Sequence, residues 1–247
     1  MSAPAMLPRH CLVTGANRGL GLEFVRQLLA RGDRVIATCR HPGKATALNL
    51  LTGEHPGRLH VLPLDVGDPK SIAGLVRELA LLDDGDLPLD LLVNNAGVLP
   101  AGERFGAVAA ADLDDSFRIN ARGPFLLIQA LAPSLAASPG QGRSGATVAN
   151  ISSQLGSIAA VGGFGTPSYA IGKAAQNMAT ALLARALAER GIAVIALHPG
   201  WVQTDMGGAG AQVTPVQSVA GLLAVIDGVT LADSGGFFDY TGGPMAW

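Results

Sequence analysis

The sequence predicts an α/β fold in which one doubly wound parallel sheet of about seven strands carries helices on both faces. Short apolar runs alternate with longer helical patterns along the chain, which is typical of strands that are buried on both faces and joined by helical crossovers. The chain has 247 residues, 49% of them hydrophobic, and its 33 glycines form no repeat. These numbers favour a single Rossmann-type domain over residues 1–247, with its core at about 10–240.

Apolar runs bounded by turn residues predict the seven strands in order. They are HCLVTG (10–15), DRVIATCR (33–40), RLHVLPLD (58–65), LDLLVNNAG (89–97), GATVANISS (145–153), GIAVIALHPG (191–200) and GGFFDYTG (235–242). The first helix is expected in RGLGLEFVRQLLARG (18–32), where apolar residues recur at helical spacing before a glycine stop. Further helical patterns cover about 69–82, 112–136, 167–190 and 215–227.

Composition excludes several classes of function. The formal charge of −2 and the pI near 6.2 give no basic surface for nucleic acid or for an anionic membrane. The N-terminal ten residues lack the apolar core of a signal peptide, and no apolar run approaches the ~20 residues that span a bilayer. Cys11 and Cys39 both lie in predicted strands, which favours buried reduced thiols over a disulfide or a metal site. We therefore expect a soluble cytoplasmic protein without a metal.

A glycine-rich turn, TGANRGLG, follows the first strand and opens the first helix. Gly15, Gly19 and Gly21 allow a tight turn whose backbone N–H groups approach a pyrophosphate at the positive end of the helix. A three-glycine pattern alone also fits an ordinary turn, but its place between strand and helix favours dinucleotide binding.

The end of the second strand indicates which dinucleotide is bound. NAD sites usually place an acid there, whereas a 2′-phosphate needs positive charge, and here the strand ends in Arg40 with Arg18 nearby in the glycine turn. These residues predict NADP(H), although either arginine could be a solvated surface side chain. Asp65, which ends the third strand, is placed to bond the adenine amino group or to serve as a turn residue.

Tyr169 and Lys173 are the candidate acid/base pair. On a helix they lie one turn apart on the same face, and a neighbouring ammonium would lower the pKa of the phenol toward neutrality. Spacing alone also fits a packed tyrosine beside a surface lysine.

Four motifs overturn that alternative: TGANRGLG, NNAG (94–97), NISS (150–153) and YAIGK (169–173). In this order they resemble the short-chain dehydrogenase/reductase family, from about residue 10 to HPGWVQTDM (198–206). The resemblance implies that Tyr169 exchanges a proton with the substrate oxygen, that Lys173 lowers the tyrosine pKa and bonds the nicotinamide ribose, and that Ser153 bonds the substrate oxygen. Asn120 would hold a water that links Lys173 to a proton relay, or would bond only neighbouring backbone.

The interval from Ser153 to Tyr169 is longer than the family's commonest spacing, so Ser157 is the alternative serine. The resemblance also implies further cofactor contacts. They are Asn17, Leu20, Val66, Asn94, Ala96, Gly97, Ile151, Pro199, Gly200, Val202 and Thr204. His198 is expected to be structural.

Two departures from the family pattern are visible. Gly172 stands where serine is most frequent, which should be tolerated, and the short, glycine-rich DMGGAGAQVTP (205–215) predicts an open pocket for varied or modest-sized carbonyl substrates. TDMGG and the C-terminal GGFFDYTGGPMAW look most like the sniffer and C-factor branch of carbonyl reductases.

The leading hypothesis is an NADPH-dependent reductase of ketones or aldehydes. The alternatives are an NAD-dependent alcohol or hydroxysteroid dehydrogenase and a non-catalytic dinucleotide-binding regulator. A sugar epimerase is disfavoured because the chain is too short for the added substrate domain. The resemblance also implies a homodimer or homotetramer that associates through the helices at about 112–136 and 167–190.

Overall fold

A parallel sheet organises the chain, and the computed structural model describes it for residues 8–82, 88–135 and 145–247. Within these ranges the sheet has seven strands in the order β3-β2-β1-β4-β5-β6-β7, every neighbouring pair being parallel. The strands are β1 (His10–Thr14), β2 (Arg34–Cys39), β3 (Leu59–Pro63), β4 (Leu91–Asn94), β5 (Thr147–Ile151), β6 (Ala193–His198) and β7 (Phe237–Asp239). The predicted doubly wound α/β fold is confirmed.

Helical crossovers join the strands. They are α1 (Gly19–Ala30), α2 (Thr46–Glu54), α3 (Pro69–Leu79), α4 (Ala110–Phe117), α5 (Gly123–Leu131), α6 (Pro167–Leu187) and α7 (Pro215–Gly228). The sequence patterns did not predict α2. Across the described ranges, no helix is both long enough and apolar enough to cross a membrane. Two parts of the predictions lie outside the described residues. They are residues 1–7, which were part of the signal-peptide prediction, and residue 136, which ends one predicted helix.

The single helix predicted over 112–136 is wrong in one respect, because a π-helical turn at Arg118–Arg122 separates α4 from α5. Pro124 is the physical reason. It has no N–H to donate to the Asn120 carbonyl four residues earlier, and its ring would clash with that carbonyl in a regular α-helix. The backbone widens there, as π turns commonly do at functional sites.

Side chains of the strands alternate between two apolar cores, one on each face of the sheet. Cys11 and Val13 pack with α1 and α7, whereas Leu12 between them packs with α3, α5 and α6. Cys11 and Cys39 are both buried free thiols, as predicted. Since the strands are covered on both faces, their carboxyl ends are positioned rigidly.

The strand order reverses beside β1. Strands β2 and β3 follow on one side of it, whereas β4 begins the other half of the sheet on the opposite side. In open parallel sheets, the crevice beyond the carboxyl ends at such a reversal is where ligands bind.

Candidate active site

A cavity of about 550 Å³ lies at that crevice. Its wall is formed mainly by residues that follow strands β1 to β6, together with Tyr169 and Lys173 of α6 and Ile119 of the π turn. It includes most of the residues predicted as contacts: Gly15, Asn17, Arg18, Gly19, Leu20, Arg40, Asp65, Val66, Ala96, Gly97, Ile151, Tyr169, Lys173, Pro199 and Thr204. The volume is within the range of small-molecule and cofactor sites.

Close packing explains the glycines of the turn after β1. Gly15 has a φ of +65°, and a Cβ there would lie 2.9 Å from the Ala96 Cα. A Cβ on Gly21 would lie only 2.3 Å from the Gly15 carbonyl oxygen. Among the described residues, no side chain caps the start of α1, and no acid occupies its first turn. The turn therefore presents the positive end of α1 to the cavity, which suits a bound anion.

The NNAG segment braces this turn from the next strand. The Asn95 side chain donates hydrogen bonds to the carbonyls of Thr14 (2.9 Å) and Gly15 (3.2 Å). The Thr14 hydroxyl accepts from the N–H groups of Asn95 and Ala96, both at 3.0 Å. Asn95 lines the cavity, although it was not among the predicted contacts.

Asn94 points away from the cavity and joins strands. Its side-chain nitrogen donates to the Asn150 Oδ1 (2.8 Å), and Asn150 donates to the Thr180 hydroxyl (2.9 Å). Asn94 therefore holds β4 and β5 together and links them to α6. It was predicted as a cofactor contact, and it is not among the residues that line the cavity.

Positive charge lines the end of the cavity beyond β2. Arg40, His41 and Lys44 contribute to the wall there, and Arg18 approaches from the glycine turn. Arg18 Nη1 forms an ion pair with Asp205 Oδ2 at 2.9 Å. Lys44 was not predicted, because it follows the end of β2 by a further turn that the strand pattern does not reveal.

Asp65 is a turn residue, which is one of its two predicted roles, because its Oδ1 accepts the Gly67 N–H at 2.8 Å. It also lines the cavity, and its bond to adenine stays a prediction.

Tyr169 and Lys173 lie on α6, so the predicted helical spacing is confirmed. Lys173 Nζ is 5.6 Å from the centroid of the Tyr169 ring. It donates to the Ile151 carbonyl (2.6 Å) and to Gln176 Oε1 (3.0 Å), and no carboxylate pairs with it among the described residues. A neutral amine has two N–H groups, which match these two acceptors.

The pKa shifts of the pair run opposite to the sequence-based expectation. Burial raises the pKa of Tyr169 to about 12, partly offset by a side-chain hydrogen bond with Ser153. Burial lowers the pKa of Lys173 to about 7. A lysine that is only partly charged exerts little pull on the phenol, so the expected lowering of the tyrosine pKa by Lys173 is absent here.

The two candidate serines differ in their partners. The side chain of Ser153, two residues after β5, lowers the pKa of Tyr169, and its hydroxyl accepts the Leu155 N–H at 3.2 Å. Ser157 is buried, and its hydroxyl accepts the Ala160 N–H at 3.2 Å within its own loop. Of the two hydroxyls, only that of Ser153 acts on the pKa of Tyr169, whereas Ser157 bonds within its own loop.

Asn120 lies in the π turn and is fully buried. Its Oδ1 accepts the Val98 N–H, and its Nδ2 donates to the Val98 carbonyl, both at 2.9 Å. It also donates to the Ser116 hydroxyl at 3.0 Å. Its side chain therefore fixes the loop after β4, and the partner is not neighbouring backbone but a residue 22 positions away in the sequence.

The segment after β6 closes another side of the cavity. Pro199 and Thr204 line it, whereas Gly200 and Val202 lie behind them. Gly200 has a φ of +80°, and a Cβ there would lie 3.0 Å from the Tyr240 ring, while Val202 forms an isolated bridge with Val213. His198 Nδ1 accepts the Gln154 N–H at 3.3 Å, and burial lowers its pKa, which supports the structural role expected for it.

Two loops converge beside Tyr169. Glu103, from the loop after β4, accepts hydrogen bonds from the Ser168 N–H (3.3 Å) and from the Ser168 hydroxyl. Phe105 packs edge-on against Phe164, with 5.6 Å between ring centroids. The Glu103 contact was not predicted, because nothing in the local sequence pattern around Glu103 connects it to a helix 65 residues away.

Comparisons with known proteins agree with this geometry. The family model described as "short chain dehydrogenase" matches residues 9–213. The C-signal protein of Myxococcus xanthus is 43% identical over 162 residues, which cover 65% of this chain and 93% of that protein. The NADPH-bound carbonyl reductase from chicken fatty liver has a TM-score of 0.91 and 41% identity, over 97% of this chain and 99% of that one. The carbonyl reductase Sniffer of D. melanogaster has a TM-score of 0.92 and 34% identity, over 97% and 100% of the two chains.

Proposed function

Because the chain belongs to the short-chain dehydrogenase family of oxidoreductases, we propose that it reduces a ketone or aldehyde to an alcohol with NADPH. The observation that carries the proposal is that Tyr169 and buried Lys173 line a cavity whose other wall is a phosphate-binding type of glycine turn, with the Ser153 side chain acting on the Tyr169 pKa. The resemblance to carbonyl reductases, one of them NADPH-bound, supports this activity.

Each side chain has a task in this reaction. NADPH, when bound, supplies the hydride to the carbonyl carbon. Tyr169 keeps its proton at neutral pH, since its pKa is raised to about 12, and gives that proton to the carbonyl oxygen as negative charge develops there. Ser153 donates a hydrogen bond to the same oxygen, a preorganised contact that is stronger in the transition state than in the ground state.

Lys173 responds to the loss of that proton. A negative phenolate oxygen nearby favours the charged form of an amine whose pKa is about 7, so Lys173 takes up a proton as Tyr169 releases one. Since Pro124 cannot donate to the Asn120 carbonyl, we assign to that carbonyl the water that links Lys173 to solvent. The Asn120 side chain is occupied by Val98 and Ser116.

Residues along the cavity would hold a dinucleotide. The glycine turn and the start of α1 would hold the pyrophosphate, with Asn17 and Leu20 beside them, and Asp65 and Val66 would hold the adenine. The nicotinamide half would be surrounded by Ala96, Gly97, Ile151, Pro199 and Thr204. Arg40 provides positive charge for a 2′-phosphate, and the strand that it ends has no acid at its carboxyl end.

Replacing Tyr169 with phenylalanine tests the mechanism. Tyr169→Phe removes the proton donor and keeps the ring, so kcat for carbonyl reduction should fall by roughly 10²–10⁴-fold while the Kd for NADPH stays unchanged. Tyr240→Phe, which alters the other of the two tyrosines, should retain the wild-type rate. Comparable turnover by Tyr169→Phe and the wild type would refute the assignment.

Two alternatives are separated by the same assays. An NAD-dependent dehydrogenase would have a higher kcat/KM with NADH than with NADPH. A non-catalytic dinucleotide-binding regulator is favoured by one observation, the resemblance to a protein named as a signal. It would bind NADPH without depleting it in the presence of aldehydes, aryl ketones, ketoesters, diketones, quinones or steroids.

We also propose that the chain is one domain and forms a homodimer or homotetramer through α4 and α6. All seven described strands share one sheet. Phe117 on α4 and Ile171, Met178 and Leu182 on α6 are each at least half exposed, which is costly for apolar side chains on an isolated chain. Sedimentation equilibrium measures the stoichiometry, and a monomer at micromolar concentration would contradict the assembly.

A further inference from the structure

We propose that Gln176 is a positioning residue for proton transfer. Its side-chain oxygen and the Ile151 carbonyl hold the Lys173 amine by uncharged contacts and leave the amine open towards the cavity. The inference rests on the proposed function, since Lys173 takes up the proton in that reaction. It assigns a role to a residue that does not line the cavity.

Two acceptors anchor the Lys173 amine from outside the cavity wall. Gln176 lies three residues beyond Lys173 on α6 and is 1% exposed, and its Oε1 accepts a hydrogen bond from Lys173 Nζ at 3.0 Å. The Ile151 carbonyl accepts a second one at 2.6 Å. A Cβ on Gly97 would lie 3.8 Å from the same Nζ, and both Gly97 and Lys173 line the cavity. Glycine therefore leaves the cavity side of the amine open, while Gln176 fixes it from another side.

The other end of the Gln176 side chain indicates why a glutamine is present. Across the described residues, its Nε2 is buried and has no hydrogen-bond partner. A buried amide nitrogen without an acceptor lowers stability, and a leucine of similar size would avoid that cost. Stability therefore does not account for the glutamine, whereas the contact between Oε1 and Lys173 does.

Both acceptors are uncharged, which matters for the protonation of the amine. A carboxylate at this distance would favour the ammonium form, whereas amide and carbonyl oxygens accept hydrogen bonds without adding charge. Burial lowers the pKa of Lys173 to about 7, and no neighbouring charge contributes to this lowering. Gln176 thus positions an amine that is still able to take up a proton when Tyr169 releases one.

The charged groups on α6 and on the elements packed against it do not pair with the amine. Within the described ranges, none of their carboxylates forms an ion pair with Lys173. The Tyr169 ring, whose centroid is 5.6 Å from Nζ, is the titratable group that faces the amine. The other charged or titratable residues on these elements are Glu103, Asp112, Asp114, Asp115, Arg118, Arg122, Arg185, Glu189, Arg190 and His198.

A lysine titration by NMR is the direct test, and it needs no turnover. The chain has three lysines, Lys44, Lys70 and Lys173, so ¹³C-labelled lysine gives three Cε signals, and Lys173→Met identifies one of them. Gln176→Glu should raise the titration midpoint of the Lys173 signal by roughly 1–3 pH units, because an adjacent carboxylate favours the ammonium. Gln176→Leu should leave the midpoint at or below the wild-type value. Gln217→Glu adds the same charge at an exposed position of α7, outside the cavity, and should leave the midpoint unchanged.

Turnover separates positioning from a merely structural role. Gln176→Leu removes the acceptor at nearly constant size, so kcat for carbonyl reduction should fall about tenfold as the amine loses its fixed place. The free energy of unfolding should not fall, since the unpaired Nε2 is removed as well. Thr180→Val is the matched control, because Thr180 is buried on the same helix and its hydroxyl donates to the Gln176 carbonyl at 2.9 Å. It should keep the wild-type kcat and the wild-type Lys173 midpoint.

Three results would overturn the proposal: an unchanged Lys173 midpoint in Gln176→Glu, a wild-type kcat in Gln176→Leu, or an equal loss of kcat in Thr180→Val. A wild-type chain that reduces no carbonyl compound would contradict the proposed function instead. The titration midpoints would then still decide whether Gln176 holds the Lys173 amine.

Discussion

Replacing Lys173 with methionine should remove a pH dependence of stability that burial of the amine creates. The pKa of Lys173 falls from 10.5 to about 7 in the folded chain, with burial as the only cause. At ~1.4 kcal/mol per pKa unit, the fold disfavours the ammonium by roughly 5 kcal/mol. Between pH 7 and 10.5 the unfolded chain binds more protons than the folded chain, so stability rises with pH across this window and is lost as pH falls toward 7.

Two pH values suffice to measure the effect. Protonation of Lys173 stabilises the unfolded state by ~4 kcal/mol at pH 7 and by ~2 kcal/mol at pH 9. The free energy of unfolding of the wild type should therefore rise by ~2 kcal/mol from pH 7 to pH 9 because of this residue. Methionine has a similar length but does not titrate. Its loss of the hydrogen bonds to Ile151 and Gln176 lowers stability equally at both pH values.

The assay is urea unfolding of wild type and Lys173→Met at pH 7 and pH 9. The quantity of interest is the difference between the two pH-induced changes in unfolding free energy. Tyr169 and the cysteines titrate in both proteins and cancel in this difference. Lys70→Met, at an exposed position, should behave like the wild type. If wild type and Lys173→Met changed equally with pH, to within ~0.5 kcal/mol, the buried amine would not be neutral and the reasoning would fail.

Side chains added at two glycines should be destabilising or should weaken binding, although the family pattern has serine at Gly172 and alanine at Gly21 would favour a helix. A Cβ on Gly172 would lie 2.5 Å from the Ser116 hydroxyl. Gly172→Ser should therefore lower the free energy of unfolding, measured with urea, by ~1–3 kcal/mol. An unchanged free energy of unfolding would mean that α4 does not pack this closely on α6. Gly21→Ala places a Cβ 2.3 Å from the Gly15 carbonyl and should raise the Kd for NADPH at least tenfold by calorimetry. Gly53→Ala in α2, where nothing lies within 4 Å, is the control and should leave that Kd unchanged.

The sheet could be predicted because burial on both faces leaves a simple trace in the sequence. Each strand is a short apolar run that ends at glycine, proline or a polar residue, and each observed strand lies within its predicted run. Helix α2 was missed because TALNLLTGE buries only Leu48 and so carries a weak periodic pattern. The break between α4 and α5 was readable in principle, since Pro124 stands inside the predicted helix.

The site could be predicted as far as motifs reach along the chain. Tyr169, Lys173 and Ser153 follow from local patterns and are brought together by the fold, whereas Glu103 and Asp205 act through contacts between distant segments that no local pattern records. The direction of the Tyr169 pKa was wrong for a related reason. The expectation assumed a charged lysine, and charge depends on burial, which spacing does not reveal.

The pKa values of Tyr169 and Lys173 differ from those of an ion pair. In an ion pair, lysine would be charged and tyrosine would lose its proton readily, a state suited to taking a proton from an alcohol. Here burial drives the two pKa values to about 12 and about 7, so at neutral pH the proton resides on the phenol and the amine is only partly charged. Under the proposed function, the separated pKa values give Tyr169 the role of proton donor and Lys173 the role of acceptor. A phenol that keeps its proton at neutral pH is the form that carbonyl reduction consumes.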